Sequence, residues 1–368
     1  MFANDPAHPL AAVTHAAPYA YYRRLAEGPP LHFDAQLDCW LATGAAGVQA
    51  VLEHVDCRVR PPGMAVPENL AGTSCGAIFA ELVRMNDGAR HAVPKQVLAS
   101  MLGQVDLARL RHSTLQIARD HLPTGAASLN QAMFELPLFG MAGLLGFAPA
   151  QWPQLASWTR DFVACLSPLS NSDQLAGAQV AAASLLQRFK LLLGESVPDS
   201  LLVNLIGLLS QTCEATAGLI GNAVLALRLQ TGLQAQLQAD PSLWPAMLRE
   251  VSRHDPSIHN TRRHTACALE IGGAALPQGQ MILVLLASAG HDASVHAEPG
   301  HFMLQRPVSP ILAYGHGRHA CPGQQLAQTM AAACLQAWAD VLAGMPLAWR
   351  YQPSLNARIP VFMEGAAA

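Results

Sequence analysis

The sequence predicts a mainly α fold with small β-sheets, and three patterns carry that expectation. From about residue 78 to 254, apolar residues recur at three- and four-residue spacing with few interruptions. The stretch 263–285 changes to β-like composition around Gly272-Gly273 and a Pro277-Gln278-Gly279 turn. Residues 347–363 read as a terminal hairpin.

In chain order, 17–26 and 46–53 read as short helices around a strand pair at 31–42, and the Pro- and Gly-rich segment from Arg58 to Ser74 reads as a loop. The helical region should break at Gly125, Pro149, Pro168 to Ser172 and Val197-Pro198. Within it, Leu201 to Leu229 is the longest apolar stretch. Asn204, Gln211, Glu214, Asn222 and Arg228 interrupt it, so it reads as a long core helix rather than a membrane span. A long irregular stretch, Ala289 to Ala320, precedes a final helix from about Pro322 to Leu342. Neither repeats nor low-complexity linkers divide the chain, so residues 1–368 are expected to form a single domain.

Of 368 residues, 51% are hydrophobic and 13% charged, which suits a large body with a deep core. The formal net charge is -3, with no basic tail, which argues against nucleic acid as a partner. Met1 to Leu10 carries Asp5, Pro6 and Pro9 and does not resemble a signal peptide, so a cytoplasmic protein free of membrane is expected. Eight cysteines are widely spaced with no Cys-x-x-Cys pair, a poor pattern for structural zinc or a disulfide framework. Most should be small buried hydrophobes. His254, His259 and His264 recur every five residues, but Pro256 intervenes and the spacing does not stack them on one helical face.

One cysteine stands apart. Tyr314-Gly-His-Gly-Arg-His-Ala-Cys321-Pro-Gly323 runs directly into an apolar helix. A cysteine at a helix start can be held as a thiolate by the free N–H groups and the dipole there. Gly315 and Gly323 let backbone approach a flat, bulky cofactor. Pro322 lacks an N–H, leaving those of Gly323 and Gln324 as candidate partners for the sulfur. A rival reading is a dinucleotide loop, Gly315-x-Gly317-x-x-Ala320 with Asp340 beyond it, although a proline-rich loop precedes it where a strand is required.

The Cys321 loop resembles the cysteine-ligand signature of the cytochrome P-450 family, Phe-x-x-Gly-x-x-x-Cys-x-Gly, with Tyr314 in place of Phe. Upstream stands Glu250-Val-Ser-Arg253, similar to the family's Glu-x-x-Arg, whose members share one helix side. Further similarities follow in order over roughly residues 85–325. His91 and Lys95 resemble a helical His-x-x-x-Arg, with Lys for Arg. Arg263, ten residues before Gly273, resembles a propionate-binding arginine, and Gly273 to Gly279 a Gly…Pro-x-Gly turn. Pro299 to Phe302 with Arg306 resembles the stretch that supports the Glu250–Arg253 pair, and His319 a further propionate contact.

The resemblance implies a triangular helical prism around haem b, with Cys321 as axial iron ligand. His91, Lys95, Arg263 and His319 would hold the propionates by charge-assisted contacts, while Glu250, Arg253 and Arg306 would be structural. It further implies a monooxygenase acting on a small, largely apolar organic molecule. Electrons would come from an external ferredoxin or flavodoxin with its reductase, since the resemblance uses the whole chain. A monomer in secondary metabolism is the accompanying expectation, with no residue that names the substrate.

The chain also departs from the pattern. Where the family carries Ala/Gly-Gly-x-Asp/Glu-Thr-Thr, it reads Gln211-Thr212-Cys213-Glu214-Ala215-Thr216. Glu214 keeps the acid, expected in proton delivery, while Ala215 replaces the first threonine. Thr216 lies 100° away around the helix and is no simple substitute. Gln211 shares a face with Ala215; its amide, a substrate hydroxyl or a water takes over the lost hydroxyl's role, or Gln211 merely packs or bonds a helix carbonyl. These changes keep two alternatives open: a peroxide-dependent oxygenase or non-monooxygenase haem-thiolate enzyme of rearrangement, dehydration or nitrogen-oxide chemistry, and a non-catalytic haem-binding protein. The pocket is expected between the Met64–Leu82 region, the long helix near Leu208 and Gln211, and Ser257 to Thr261.

Overall fold

The computed structural model describes residues 5–194 and 196–365. Residues 1–4, on which part of the signal-peptide expectation rests, lie outside them. The fold is mainly helical with three small sheets.

The long helix is Asp199–Leu229, most of it buried. It packs on the Ala126–Leu144, Trp152–Val163 and Gln324–Ala343 helices, joined by Leu107–Asp120 beside the last of these. Its side chains are apolar nearly all round, as a helix enclosed by others requires. Leu205, Ile206, Leu209, Ile220 and Val224 join one continuous core with Leu129, Met133, Leu136, Met330, Leu335 and Trp338. No helix among the described residues is long and apolar enough to cross a membrane.

The expected helix breaks fall where the chemistry placed them. Gly125 caps Ala126–Leu144, Asn171 caps Ser172–Leu193 through its side chain, and Pro198 precedes the long helix. A second body of structure is the five-stranded sheet, ordered Leu31–Asp34, Cys39–Ala42, Met281–Val284, Thr261–Thr265, Cys57–Arg58. Its apolar face covers the Gly44–Glu53 helix through Val48, Val51 and Leu52. Leu269–Ile271 with Ala274–Leu276, and Leu347–Tyr351 with Pro360–Glu364, are the two smaller antiparallel pairs.

Three details differ from the sequence expectation. The final helix begins at Gln324 with Gly323 as its cap, so Pro322 lies just outside it. The segment after Arg58 contains a single 3-10 turn, Glu68–Leu70. In the irregular 289–320 stretch, Leu312–Tyr314 and Gly317–His319 also wind into 3-10 turns, which aim the cysteine loop. Six cysteines are buried, whereas Cys267 and Cys321 are exposed.

Candidate functional site: the Cys321 loop and its cation cluster

The loop folds back on itself around its glycines. Gly315 has φ 75°, and a Cβ there would lie 3.1 Å from the His319 carbonyl oxygen, so a side chain would strain both backbone and contact. The Cys321 N–H donates to Tyr314 O at 2.8 Å, closing the turn. Cys321 then stands immediately before the N-terminus of the Gln324–Ala343 helix. The backbone N–H groups of Gly323 and Gln324, the two donors that the position of Pro322 leaves available, act on the Cys321 sulfur. Desolvation by the surrounding protein raises the Cys321 pKa, although the residue is open to solvent at its tip. Against that stand the Gly323 N–H, the Lys95 charge and the Gln324 N–H, each favouring thiolate.

Around this loop the chain gathers cations. Lys95 Nζ donates to Ala320 O at 2.5 Å. The rings of His91 and His319 lie 4.2 Å apart. Arg263 is buried, and burial lowers its pKa to about 10. Its Nη1 donates to Arg262 O at 2.8 Å, yet its Nε has no partner, and neither has the buried His91 Nε2. Burial, ahead of the nearby cations, lowers His91 to about 4.

Two members of this cluster were not singled out from sequence. Asp87 is the carboxylate inside it: its Oδ1 accepts from His319 Nε2 at 3.1 Å and from Arg318 Nε at 3.4 Å, and its Oδ2 from the Val59 N–H at 2.9 Å. The His319 and Val59 donors hold Asp87 at about 2, against the desolvation that opposes them. Arg318 spends its remaining donors on the carbonyls of Glu53, His54 and Cys57, tying the loop to the end of the Gly44–Glu53 helix. Asp87 stands four residues before His91, a helix-turn spacing that could have flagged it. Arg318 lay within the motif itself.

The Glu250–Arg253 pair is buried and fully bonded. Arg253 Nε and Nη2 donate to the two Glu250 oxygens at 2.9 and 2.6 Å. Its other donors go to the carbonyls of Gly290, Pro299 and His301. Arg306 Nε reaches both Glu250 oxygens at 3.2 Å, and the Met303 N–H donates to Glu250 at 2.9 Å. Tyr314 joins this support rather than ending in the loop, because its hydroxyl lies 2.9 Å from Ser252 Oγ on the same helix.

On the long helix, Glu214 is largely enclosed, and burial raises its pKa against the lowering influence of Arg84. Gln211 is exposed, and its Nε2 donates to Gly207 O at 3.0 Å. Among the described residues nothing donates to its amide oxygen. Thr212 Oγ1 is spent on Leu208 O at 2.8 Å, whereas Thr216 is buried. Ala215 is half-buried beside them.

Of the expected pocket residues, Leu70 and Ile78 are core and Met64 is exposed. Ser257 to Thr261 is divided. His259 and Asn260 turn inward, to the Tyr22 hydroxyl at 2.9 Å and to Leu355 O at 2.8 Å, because the adjoining sheet has closed over them. His254 bonds Gly300 O at 3.1 Å instead of meeting His259 or His264. Among the described residues no His/Cys/Asp/Glu group is arranged to hold a bare metal ion.

Comparison with known proteins agrees with this arrangement. The cytochrome P450 family model matches residues 226–338. Cytochrome P450 107B1 of Saccharopolyspora erythraea is 29% identical over 216 residues, covering 54% of this chain and 53% of that protein. Cytochrome P450 144 of Mycobacterium tuberculosis is 28% identical over 281 residues, covering 69% of this chain and 65% of the relative. The matched stretches thus span between half and two thirds of these relatives' lengths. The crystal structure of P450 RauA superposes with a TM-score of 0.83 over 98% of this chain and 97% of its own, at 19% identity.

Fold and matches together define a helical, cysteine-loop protein of the haem-binding kind. Residues 226–338 match the cytochrome P450 family, and the fold as a whole is that of cytochrome P450 structures. The cofactor of that family is haem b, and the residues present fit it. The unpartnered Arg263 Nε and His91 Nε2, beside Lys95 and Arg318, suit two propionates. The thiolate-favouring donors at Cys321 suit the iron.

Proposed function

We propose that this chain is a haem-thiolate monooxygenase of small, largely apolar organic substrates. Cys321 would hold the haem iron through its thiolate, and His91, Lys95, Arg263 and His319 would hold the propionates, with Gly315 and Gly323 leaving room for the ring. When bound, the thiolate-ligated haem supplies the activation of dioxygen by which one oxygen atom enters the substrate. The observation that carries this reading is Cys321 at a helix start, where the Gly323 and Gln324 N–H groups favour its thiolate, beside Lys95 and the unpartnered Arg263 Nε and His91 Nε2.

The chain's own residues then have distinct tasks. Gly323 and Gln324 N–H groups stabilise negative charge on sulfur. Asp87 holds His319 and Arg318 in place through its Oδ1. Glu250, Arg253 and Arg306 hold the segment that leads into the loop. Glu214, desolvated and inclined to keep its proton, is suited to proton delivery from the long helix. Gln211, anchored through Nε2, offers its amide oxygen as an acceptor in the place where Ala215 has no hydroxyl.

Electrons would come from a ferredoxin or flavodoxin with its reductase, and the enzyme would work as a cytoplasmic single-domain monomer, in keeping with secondary metabolism. Turnover of a panel of apolar substrates with a surrogate ferredoxin, its reductase and NADPH tests this, with oxygenated product expected. Ala215 supports a second reading, use of peroxide as oxidant, since the hydroxyl that serves dioxygen is missing. Product with hydrogen peroxide and none with redox partners would select it.

A further inference from the structure

Most interior arginines of this fold spend their donors on the protein. Arg253 is saturated by Glu250 and three carbonyls. Arg358 donates to Asp255 and to the carbonyls of Val13 and His15. Arg60 donates to the carbonyls of Phe79 and Ala80. Arg84 does none of this. Its Nε is fully buried without a partner, and no acceptor among the described residues takes a hydrogen bond from its guanidinium.

The position of Arg84 is fixed by its surroundings. It belongs to the 3-10 turn Val83–Met85. The Val83 N–H donates to Asn204 Oδ1 at 2.7 Å, and Asn204 Nδ2 returns to Glu81 O at 3.1 Å. Asn86 Nδ2 bonds the carbonyls of Ala80 and Leu82, both at 2.9 Å. A Leu82 methyl lies 2.8 Å from where a Gly207 Cβ would stand, so the turn is seated directly on the long helix. Glu214 of that helix and Cys165 are the neighbours whose charge acts on Arg84, while burial lowers its pKa. Arg84 and Glu214 nevertheless form no ion pair.

A guanidinium whose buried Nε has no acceptor is costly, which points to an acceptor supplied from outside the chain. Its planar fork matches a carboxylate bidentately. A single cation facing Glu214 favours a singly charged ligand over a multiply charged one. Met85, next to Arg84 in the chain, and Leu208, next to Gly207 on the long helix, are apolar, suiting a hydrocarbon body.

We propose that Arg84 anchors the carboxylate of the substrate, an organic monocarboxylate with an apolar body, beside the Gln211–Ala215 face of the long helix. This assignment rests on the reading of that face as substrate-facing.

Isothermal calorimetry on the haem-loaded protein tests it, with octanoate, dodecanoate and hexadecanoate each compared with its methyl ester. At least one acid is expected to bind roughly tenfold or more tightly than its ester. That preference should vanish in Arg84→Gln and survive in part in Arg84→Lys, which keeps the charge without the fork. Equal affinity for every acid and its ester, binding of no acid, or an acid preference that persists in Arg84→Gln would overturn the assignment. Should Arg84→Gln fail to fold, the acid–ester comparison on the unaltered chain decides alone. A reduced carbon monoxide spectrum of the same sample reports separately on the haem-thiolate reading: loss of its red-shifted band overturns that reading, whereas an intact band with no acid preference overturns only the role of Arg84.

Discussion

The hydroxyl of Tyr314 lies 2.9 Å from Ser252 Oγ, joining the cysteine loop to the helix of Glu250 and Arg253. Ser252 gives its own proton to Leu248 O at 2.7 Å, so Tyr314 is the donor to Ser252. Burial pushes the Tyr314 pKa up to about 12, and the phenol stays protonated throughout the neutral range. A phenylalanine at 314 cannot make this link. Tyr314→Phe is therefore expected to keep haem binding while losing about 1 kcal/mol of stability. The urea midpoints of Tyr314→Phe, Ser252→Ala and the double variant check this, and the two losses should not add.

Arg253 has every donor group engaged in a buried setting. Arg253→Ala would strand the Glu250 carboxylate with Arg306 as its remaining cation and release three carbonyls. A loss of about 3–5 kcal/mol is expected, seen as little soluble, haem-loaded protein. Normal haem content in purified Arg253→Ala would contradict the structural role.

Gln211 is held by Gly207 O through its amide nitrogen. If its amide oxygen serves where Ala215 lacks a hydroxyl, Gln211→Ala should lower the fraction of electrons recovered in product several-fold. Gln211→Glu, which keeps an oxygen, should lower it less. Unchanged coupling in Gln211→Ala would leave Gln211 as helix packing only.

Acid sensitivity should come from histidines buried neutral beside Tyr19 and Tyr22. Burial lowers His291 to about 3 and holds His254 and His259 below their ordinary value. The sign follows from linkage. Above the unfolded pKa of about 6.5 both states are neutral and the stability is fully present. As pH falls below that, the unfolded chain takes up protons that folded His291 refuses until about 3, so stability is lost across this window. Melting temperatures should fall steadily from about pH 6.5 towards about pH 4, and His291→Asn should show a shallower slope.

How far the sequence reached depended on whether a role was local. Cys321 and its N–H donors, and the Glu250–Arg253 pair, sit within a few residues of one another, so motif and helix period disclosed them. The long helix was legible from its apolar run and the Val197-Pro198 break before it. Asp87 escaped because its partners His319 and Arg318 lie more than 200 residues away and meet it only after the sheet and loop have folded. Nothing local in the sequence marks Arg84, since only Asn204 and Gly207 reveal that its turn is pressed onto the long helix. The inward turn of His259 and Asn260 was hidden for the same reason.

The most direct test of the central claim is the absorption spectrum of purified protein, reduced with dithionite under carbon monoxide, for the unaltered chain and Cys321→Ala. A strongly red-shifted Soret band in the unaltered chain, lost in Cys321→Ala, is the expected result. A band that survives in Cys321→Ala, or no haem band in either after expression with iron and haem precursor, would contradict Cys321 as the thiolate ligand.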